Sequence, residues 1–189
     1  MQLQVRNPER PIPFHSLPPE LTQEVRLPNG ALVTLRPIRP EDADLESAFV
    51  HRLSPESRFY RFMAPMGELS PRMVERFTNL DYAKEMALVA ITRGSEGDLQ
   101  VGVARYSIVD EGRGCEFAIV VDDTWRGTGL ARELMLALID AARDYHRLES
   151  MHGVALADNR RMIGLARSLG FTTERDPQDA RQVIMRLEL

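Results

Sequence analysis

The run Arg126-Gly127-Thr128-Gly129 sits between an apolar stretch and a helical one, a setting suited to holding an anion. The first residues of a helix carry backbone N–H groups with no acceptor inside the helix, and the positive end of the helix dipole lies beside them. Gly127 and Gly129 present no Cβ to an approaching pyrophosphate. They also permit the positive φ angles at which successive N–H groups converge on one anion. The same glycines would serve a plain tight turn, so the flanking residues must decide.

Upstream, the apolar and β-branched run from Phe117 to Val121 predicts a buried strand, ended by the polar turn Asp122, Asp123 and Thr124. Downstream, Leu130, Leu134, Leu138 and Ala141 recur at helical spacing and predict a helix from Leu130 to Tyr145. A strand at Met151 to Ala155 and a helix from Asn159 to Leu169 follow, with Asp158 or Asn159 as its cap and Gly170 as its stop. Phe171 to Glu174 and Gln182 to Leu189 read as further strands. Before the loop, Glu24 to Leu27 and Leu32 to Leu35 flank Pro28-Asn29-Gly30 as a hairpin. Pro40, Ser54-Pro55 and Ser70-Pro71 open helical stretches, the first running to about Arg52. Met86 to Thr92 and Val101 to Val109 are strand-like. The whole reads as a mixed α/β sheet protein.

Arg126, Gly129 and Ala131 match the coenzyme A signature of the GNAT superfamily of N-acetyltransferases, which the chain resembles: Arg or Gln, two residues, Gly, one residue, then Gly or Ala. The second signature of that family, an Asn opening a helix that ends in Leu-Gly-Phe, is matched by Asn159, Met162, Leu165, Leu169, Gly170 and Phe171. A narrower resemblance, to the acetyltransferase module of bacterial protein lysine acetyltransferases, rests on several segments. They are Arg36 to Asp42, Leu53 to Arg58 with Arg61-Phe62, Asp81-Tyr82 and Met86 to Ala90. These resemblances imply a GNAT-like α/β fold, with a mixed, mostly antiparallel central sheet flanked by helices. They imply acetyl-CoA as cosubstrate and a primary amine, a protein lysine in the narrower family, as acceptor.

An amine attacks a thioester only when neutral, and a lysine amine with a pKa of about 10.4 is almost fully protonated at neutral pH, so a base is required. The resemblance places that base at Glu116, acting directly or through water; a solvated or salt-bridged strand end is the other reading. Strand alternation puts Glu116, Ala118 and Val120 on one face and Cys115, Phe117, Ile119 and Val121 on the other, so Cys115 and Glu116 do not act together. By resemblance, a backbone N–H around Ile119, Val120 and Val121 meets the charge developing on the thioester oxygen. The main chain of Arg126, Gly127, Thr128, Gly129, Leu130 and Ala131 holds the diphosphate. Asn159 touches the cofactor arm or simply caps its helix. Many relatives protonate the departing thiolate with a tyrosine, and that position here is Ala166. No general acid carries over. The thiolate, with a pKa close to the roughly 8.5 of a cysteine thiol, can leave unprotonated or take a proton from water.

At 189 residues and 43% hydrophobic, the chain predicts a single well-buried domain over 21–189 behind a proline-rich arm over 1–20. The arm either hangs loosely or packs on the domain, or on a neighbouring subunit in a homodimer, through Ile12, Phe14 and Leu17. A net charge of -4 gives no reason to expect nucleic-acid binding. One cysteine excludes an internal disulfide, and scattered histidines predict no metal site. The longest strongly apolar run, Leu134 to Ile139, is too short to cross a bilayer, so a soluble, cytoplasmic protein is expected. The cluster Arg58 to Phe62 either packs its rings into the core or walls a substrate cleft. Glu46, Asp81, Glu85, Asp110 and Glu111 either attract a cationic acceptor or are solvated surface. Two other functions compete. A dinucleotide-binding enzyme lacks its third glycine, where Arg132 stands. A non-catalytic acyl-CoA sensor is favoured by Ala166 and opposed by Glu116.

Overall fold

The computed structural model describes residues 18–95 and 97–189. The proline-rich arm therefore lies outside the described residues except at its end, where Pro19–Leu21 makes one 3-10 turn. Strands β1 (Gln23–Arg26) and β2 (Leu32–Pro37) form the expected hairpin, and Gly30 turns it at a left-handed φ of +84°. Strands β3 (Glu85–Gly94), β4 (Gly97–Val109), β5 (Gly114–Val121), β6 (Ser150–Leu156), β7 (Thr172–Arg175) and β8 (Gln182–Glu188) complete an eight-stranded sheet. Its order is β1-β2-β3-β4-β5-β6-β8-β7. Every neighbouring pair is antiparallel except β5 and β6.

One face of the sheet carries α1 (Ala43–Arg52), α2 (Pro55–Phe62) and α3 (Pro71–Thr78). The Ser-Pro signals work as read: Ser54 Oγ accepts the Ser57 N–H at 3.1 Å, and Ser70 Oγ accepts the Met73 N–H at 3.3 Å. Pro40 opens not the helix itself but a 3-10 turn, Pro40–Asp42, that leads into it. Asp42 is buried rather than facing solvent at the helix start, and its two oxygens take the Arg36 guanidinium at 2.7 Å each.

The opposite face carries α4 (Leu130–Asp140), whose Leu130, Leu134 and Leu138 are fully buried. The helix expected through Tyr145 stays α-helical only to Asp140 and widens into a π turn over Ala141–Tyr145, with the His146 N–H reaching Ala141 O at 3.1 Å. That widened turn delivers His146 to buried partners. The Tyr106 hydroxyl donates to Nδ1 at 2.7 Å, and Nε2–H donates to the Tyr82 carbonyl at 2.8 Å. Helix α5 (Arg160–Ser168) packs on β7 and β8.

What positions a site is the failure of β5 and β6 to stay together. They pair only through Gly114, Cys115 and Glu116 against Ser150, Met151 and His152, and then part. The Phe117 ring lies over Gly153 at this point, so close that a Cβ on Gly153 would stand 2.6 Å from the ring. The ring acts as a wedge, and only glycine on β6 leaves it space.

Candidate active site

A cleft of 730 Å³ opens where the strands part. Its floor is Phe117 to Val121, one end is the glycine loop and the start of α4, and α2 and α5 form its sides. Ile119, Val120, Val121, Arg126, Gly127, Gly129, Leu130, Ala131 and Asn159, predicted from separate parts of the sequence, all line it. Thr128 does not. Its hydroxyl is turned into the loop, donating to Trp125 O at 2.7 Å and accepting the Leu130 N–H at 3.3 Å, so it shapes the turn rather than the wall.

The loop has the positive-φ conformation that its glycines permit. Gly127 and Gly129 adopt φ of +75° and +93°. Among the described residues, no acceptor meets the backbone N–H of Gly127, Thr128, Gly129 or Ala131, while those of Arg132 and Glu133 both go to Gly129 O. Free amides of this kind at a helix start are what a phosphate requires. A Cβ on Gly127 would meet nothing within 4 Å, whereas one on Gly129 would stand 3.1 Å from Pro28 of the β1–β2 turn. Gly129 therefore also serves packing.

Along β5 the backbone supplies a second row of groups. Asp122 donates its N–H to Val101 O at 2.9 Å, and Val120 pairs with Val103 on β4. Alternation then turns the peptide groups of Val121 and Ile119 away from β4, into the gap that β6 has left. Val120 contributes its side chain to the cleft floor, with its backbone committed to β4.

Glu116 is exposed at the last position where β5 pairs with β6, opposite His152; it shares a sheet face with Ala118 of the cleft floor but does not itself line the cleft. Cys115 faces the other way and is fully buried. Burial pushes its thiol up to about 12, which with its orientation disqualifies it as a nucleophile. Asn159 caps α5, its side-chain oxygen accepting the Met162 N–H at 3.1 Å, and also lines the cleft. Ala166 is fully buried and offers no proton.

The α2 side carries residues whose roles the sequence did not disclose. Tyr60 and Arg61 line the cleft, Phe62 stacks on Phe77 at 6.2 Å, and Phe59 is 40% exposed, so Arg58 to Phe62 is a cleft wall as well as a packing element. Burial and then the Asp158 carboxylate raise the Tyr60 hydroxyl above its ordinary pKa. Asp123, read as a turn residue, ties α2 to the glycine loop. It accepts the Ser54 N–H at 2.8 Å, the Ser54 hydroxyl at 3.0 Å and the Ser57 hydroxyl at 2.8 Å, and it pairs with Arg126. Glu46 is neither acceptor lure nor solvated surface. It is buried, bound by Arg105 at 3.1 Å and by the Gln100 amide. Glu85 is likewise taken, by Arg76 at 2.9 Å. Apart from Arg76 with Glu85 and Arg126 with Asp123, these partners lie far apart in the chain, and no local pattern announces them.

The cleft thus lies between parting strands, lined by backbone and ended by a glycine loop at a helix start. Residues 33–172 match the family described as Acetyltransferase (GNAT) domain. The chain is similar to Acetyltransferase PA5475 of Pseudomonas aeruginosa, with 41% identity over 164 residues, covering 86% of this chain and 87% of that protein. Its structure is similar to the GNAT domain of S. lividans PAT, with a TM-score of 0.84, 28% identity and coverage of 92% and 100%. It also shares its fold with a cAMP-binding acyltransferase from Mycobacterium smegmatis, at a TM-score of 0.60 and 24% identity, covering 88% of this chain and 46% of that one. The chain belongs to the GNAT family of N-acetyltransferases, whose members generally use acetyl-CoA. No helix among the described residues is long and apolar enough to cross a membrane, and they contain no group of His, Cys, Asp or Glu arranged to hold a metal ion.

Proposed function

We propose that this chain transfers the acetyl group of acetyl-CoA to a primary amine, a protein lysine being the favoured acceptor, by direct attack in a ternary complex with Glu116 as general base. One observation carries the reading: the glycine loop with its unaccepted N–H groups and the gap between β5 and β6 open on the same cleft. The amides of Gly127, Thr128, Gly129 and Ala131 would hold the diphosphate, and Asn159 would flank the cofactor arm. The arm would run along β5 in the place of a missing strand, and a backbone N–H at Ile119 or Val121 would meet the charge that develops on the thioester oxygen. Glu116 takes the amine proton, directly or through water. The nitrogen–carbon bond forms, the carbon–sulfur bond breaks, and coenzyme A leaves as a thiolate that takes its proton from solvent. The lysine preference is supported by the residues shared with bacterial protein lysine acetyltransferases, Arg36 to Asp42 and Leu53 to Arg58 among them.

Calorimetric titration with acetyl-CoA, coenzyme A and NAD tests the cofactor, using the wild type, Gly129→Glu and Gly127→Glu. Gly127→Glu is included because its Cβ meets no neighbour within 4 Å, so packing is spared and the added strain is confined to its backbone at φ +75°. The expected result is acetyl-CoA binding that both variants lose, with no response to NAD. Binding of NAD alone would replace this reading with a dinucleotide enzyme, and binding of nothing would reduce the loop to a turn. The absence of a hydroxyl at Ala166 favours a second reading, an acyl-CoA-binding sensor. Binding of acetyl-CoA with no thiol release over a panel of amines would establish that reading instead.

A further inference from the structure

The cleft contains a cation that the protein leaves without a partner. Arg61, in the last turn of α2, is half-buried and lines the cleft, yet it makes no hydrogen bond and no ion pair among the described residues. Its guanidinium carbon lies 5.0 Å from the centroid of the Phe62 ring. The Glu46 carboxylate, whose charge favours that of Arg61, is already engaged: one oxygen takes Arg105 at 3.1 Å and the other takes the Gln100 amide. Arg105 lies over the Phe77 ring at 4.6 Å and adds its own positive charge to that of Arg61. Of the two guanidinium groups only Arg105 reaches that carboxylate, and Arg61 is left beside a like charge. Burial and then Arg105 push Arg61 down to about 10, with Glu46 opposing, so it remains charged at neutral pH.

The other cleft arginines differ. Arg126 is held by Asp123 and Ser57, Arg132 reaches Ser168 O at 3.3 Å, and Arg161 is exposed to water. The position of Arg61 also matters. Arg105 pairs with Ala118 in the β4–β5 register, so the Arg61–Arg105 pair lies on the sheet face that carries Glu116. A half-buried charge without a partner is costly and is matched when a ligand brings the counter-charge.

We propose that Arg61 receives a carboxylate carried by the amine acceptor, so that the enzyme selects amines bearing a nearby carboxylate. This rests on the acetyl-transfer reading for the acceptor's place in the cleft. The carboxylate has two sources, the α-carboxylate of a free amino acid or an acidic side chain beside a peptide lysine.

The test compares matched acceptors: L-lysine against cadaverine, and lysine peptides flanked by Asp against the same peptides flanked by Asn. Each is used with the wild type, Arg61→Met and Arg61→Lys. The wild type is expected to favour the carboxylated member of at least one pair about ten- to hundred-fold in kcat/KM, mainly through KM. The pair that responds identifies the source. Arg61→Met loses the preference, Arg61→Lys keeps part of it, and the Kd for acetyl-CoA stays within about two-fold, which also reports a folded cleft. Equal use of both members of both pairs overturns the proposal, as does a preference that survives in Arg61→Met. A ten-fold loss of acetyl-CoA affinity in that variant would make Arg61 a cofactor anchor instead, and altered discrimination between acetyl-CoA and succinyl-CoA would make it an acyl-group selector. Calorimetry of the same acceptors with the coenzyme A complex reads the preference without turnover. Carboxylate-dependent binding with no transfer would leave Arg61 assigned while refuting acetyl transfer.

Discussion

The two walls of the cleft solve different problems. Around the glycine loop the polar side chains are already engaged with the protein: Asp123 takes both serines of α2 and Arg126, and Thr128 closes on Trp125. What remains free there is backbone, the loop amides and the edge of β5. On the α2 wall the situation is reversed. The backbone is sealed in a helix, while Tyr60 and Arg61 present side chains to the cleft. A main-chain wall recognises a phosphate and an extended arm by shape, independently of side-chain identity. A side-chain wall can be altered one residue at a time, so it is where the choice of acceptor belongs.

The largest expected effect belongs to neither wall, since Glu116 lies near the start of β5, outside the residues that line the cleft. Glu116→Gln keeps size and hydrogen bonding but cannot take a proton, so kcat should fall by about 10²–10⁴ with acetyl-CoA affinity unchanged. Full activity across pH in that variant would remove Glu116 from the mechanism and leave the comparison without its catalytic centre. Next comes the wedge. Gly153→Ala would drive a methyl group into the Phe117 ring, and overpacking of this kind costs about 1–3 kcal/mol. Because Phe117, Val154 and Ala155 line the cleft, acetyl-CoA affinity should fall together with thermal stability. An unchanged Kd in a destabilised variant would show that the parting of the strands does not depend on the ring.

The main-chain wall was the legible one. Gly127, Gly129 and the apolar run to Val121 announce a strand, a tight loop and a helix start, because backbone geometry leaves marks on local sequence. The eight strands followed from the same kind of local pattern, to within a few residues at their ends. The side-chain wall was not legible. Asp123 joining Ser54 and Ser57, Glu46 joining Arg105, and Arg61 lacking a partner all depend on segments brought together only by folding. A buried acid such as Glu46 or Asp42 looks the same in sequence as a solvated one. The π turn after Asp140 was hidden for the same reason, since the partners that receive His146 at its end, Tyr106 and Tyr82, are distant in the chain.

Asp123 is the joint between the walls. Burial would raise its pKa, but the Ser54 N–H, the two serine hydroxyls and then Arg126 outweigh that and hold it below the ordinary carboxylate range. Asp123→Asn keeps one acceptor oxygen and removes the charge that Arg126 and the serines share, at an expected cost of about 1–2 kcal/mol. If the walls are coupled through it, KM should rise for both acetyl-CoA and the acceptor. A change confined to one substrate would mean that each wall is held independently.

The smallest effect contrasts two titratable groups on opposite faces of the sheet. Arg61 is charged and unpartnered, whereas His146 is neutral and fully satisfied. Because the Tyr82 carbonyl can only accept, Nε2 must carry the proton, and Nδ1 is left to accept from the Tyr106 hydroxyl. Burial lowers the His146 pKa below its ordinary 6.5, against the opposing effect of the Tyr82 carbonyl. A depressed folded-state pKa means that the unfolded chain binds the proton first. The contribution of His146 to stability is therefore complete above about pH 7 and declines as pH falls through the unfolded value of about 6.5, by at most about 1.4 kcal/mol per pH unit. Denaturant midpoints measured from pH 8 to pH 5 should show this decline in the wild type and lose that component in His146→Phe. A flat profile in the wild type would mean that His146 gains a proton as readily inside the fold as outside it. The contrast with Arg61 would then no longer separate a group satisfied by the protein from one left for a ligand.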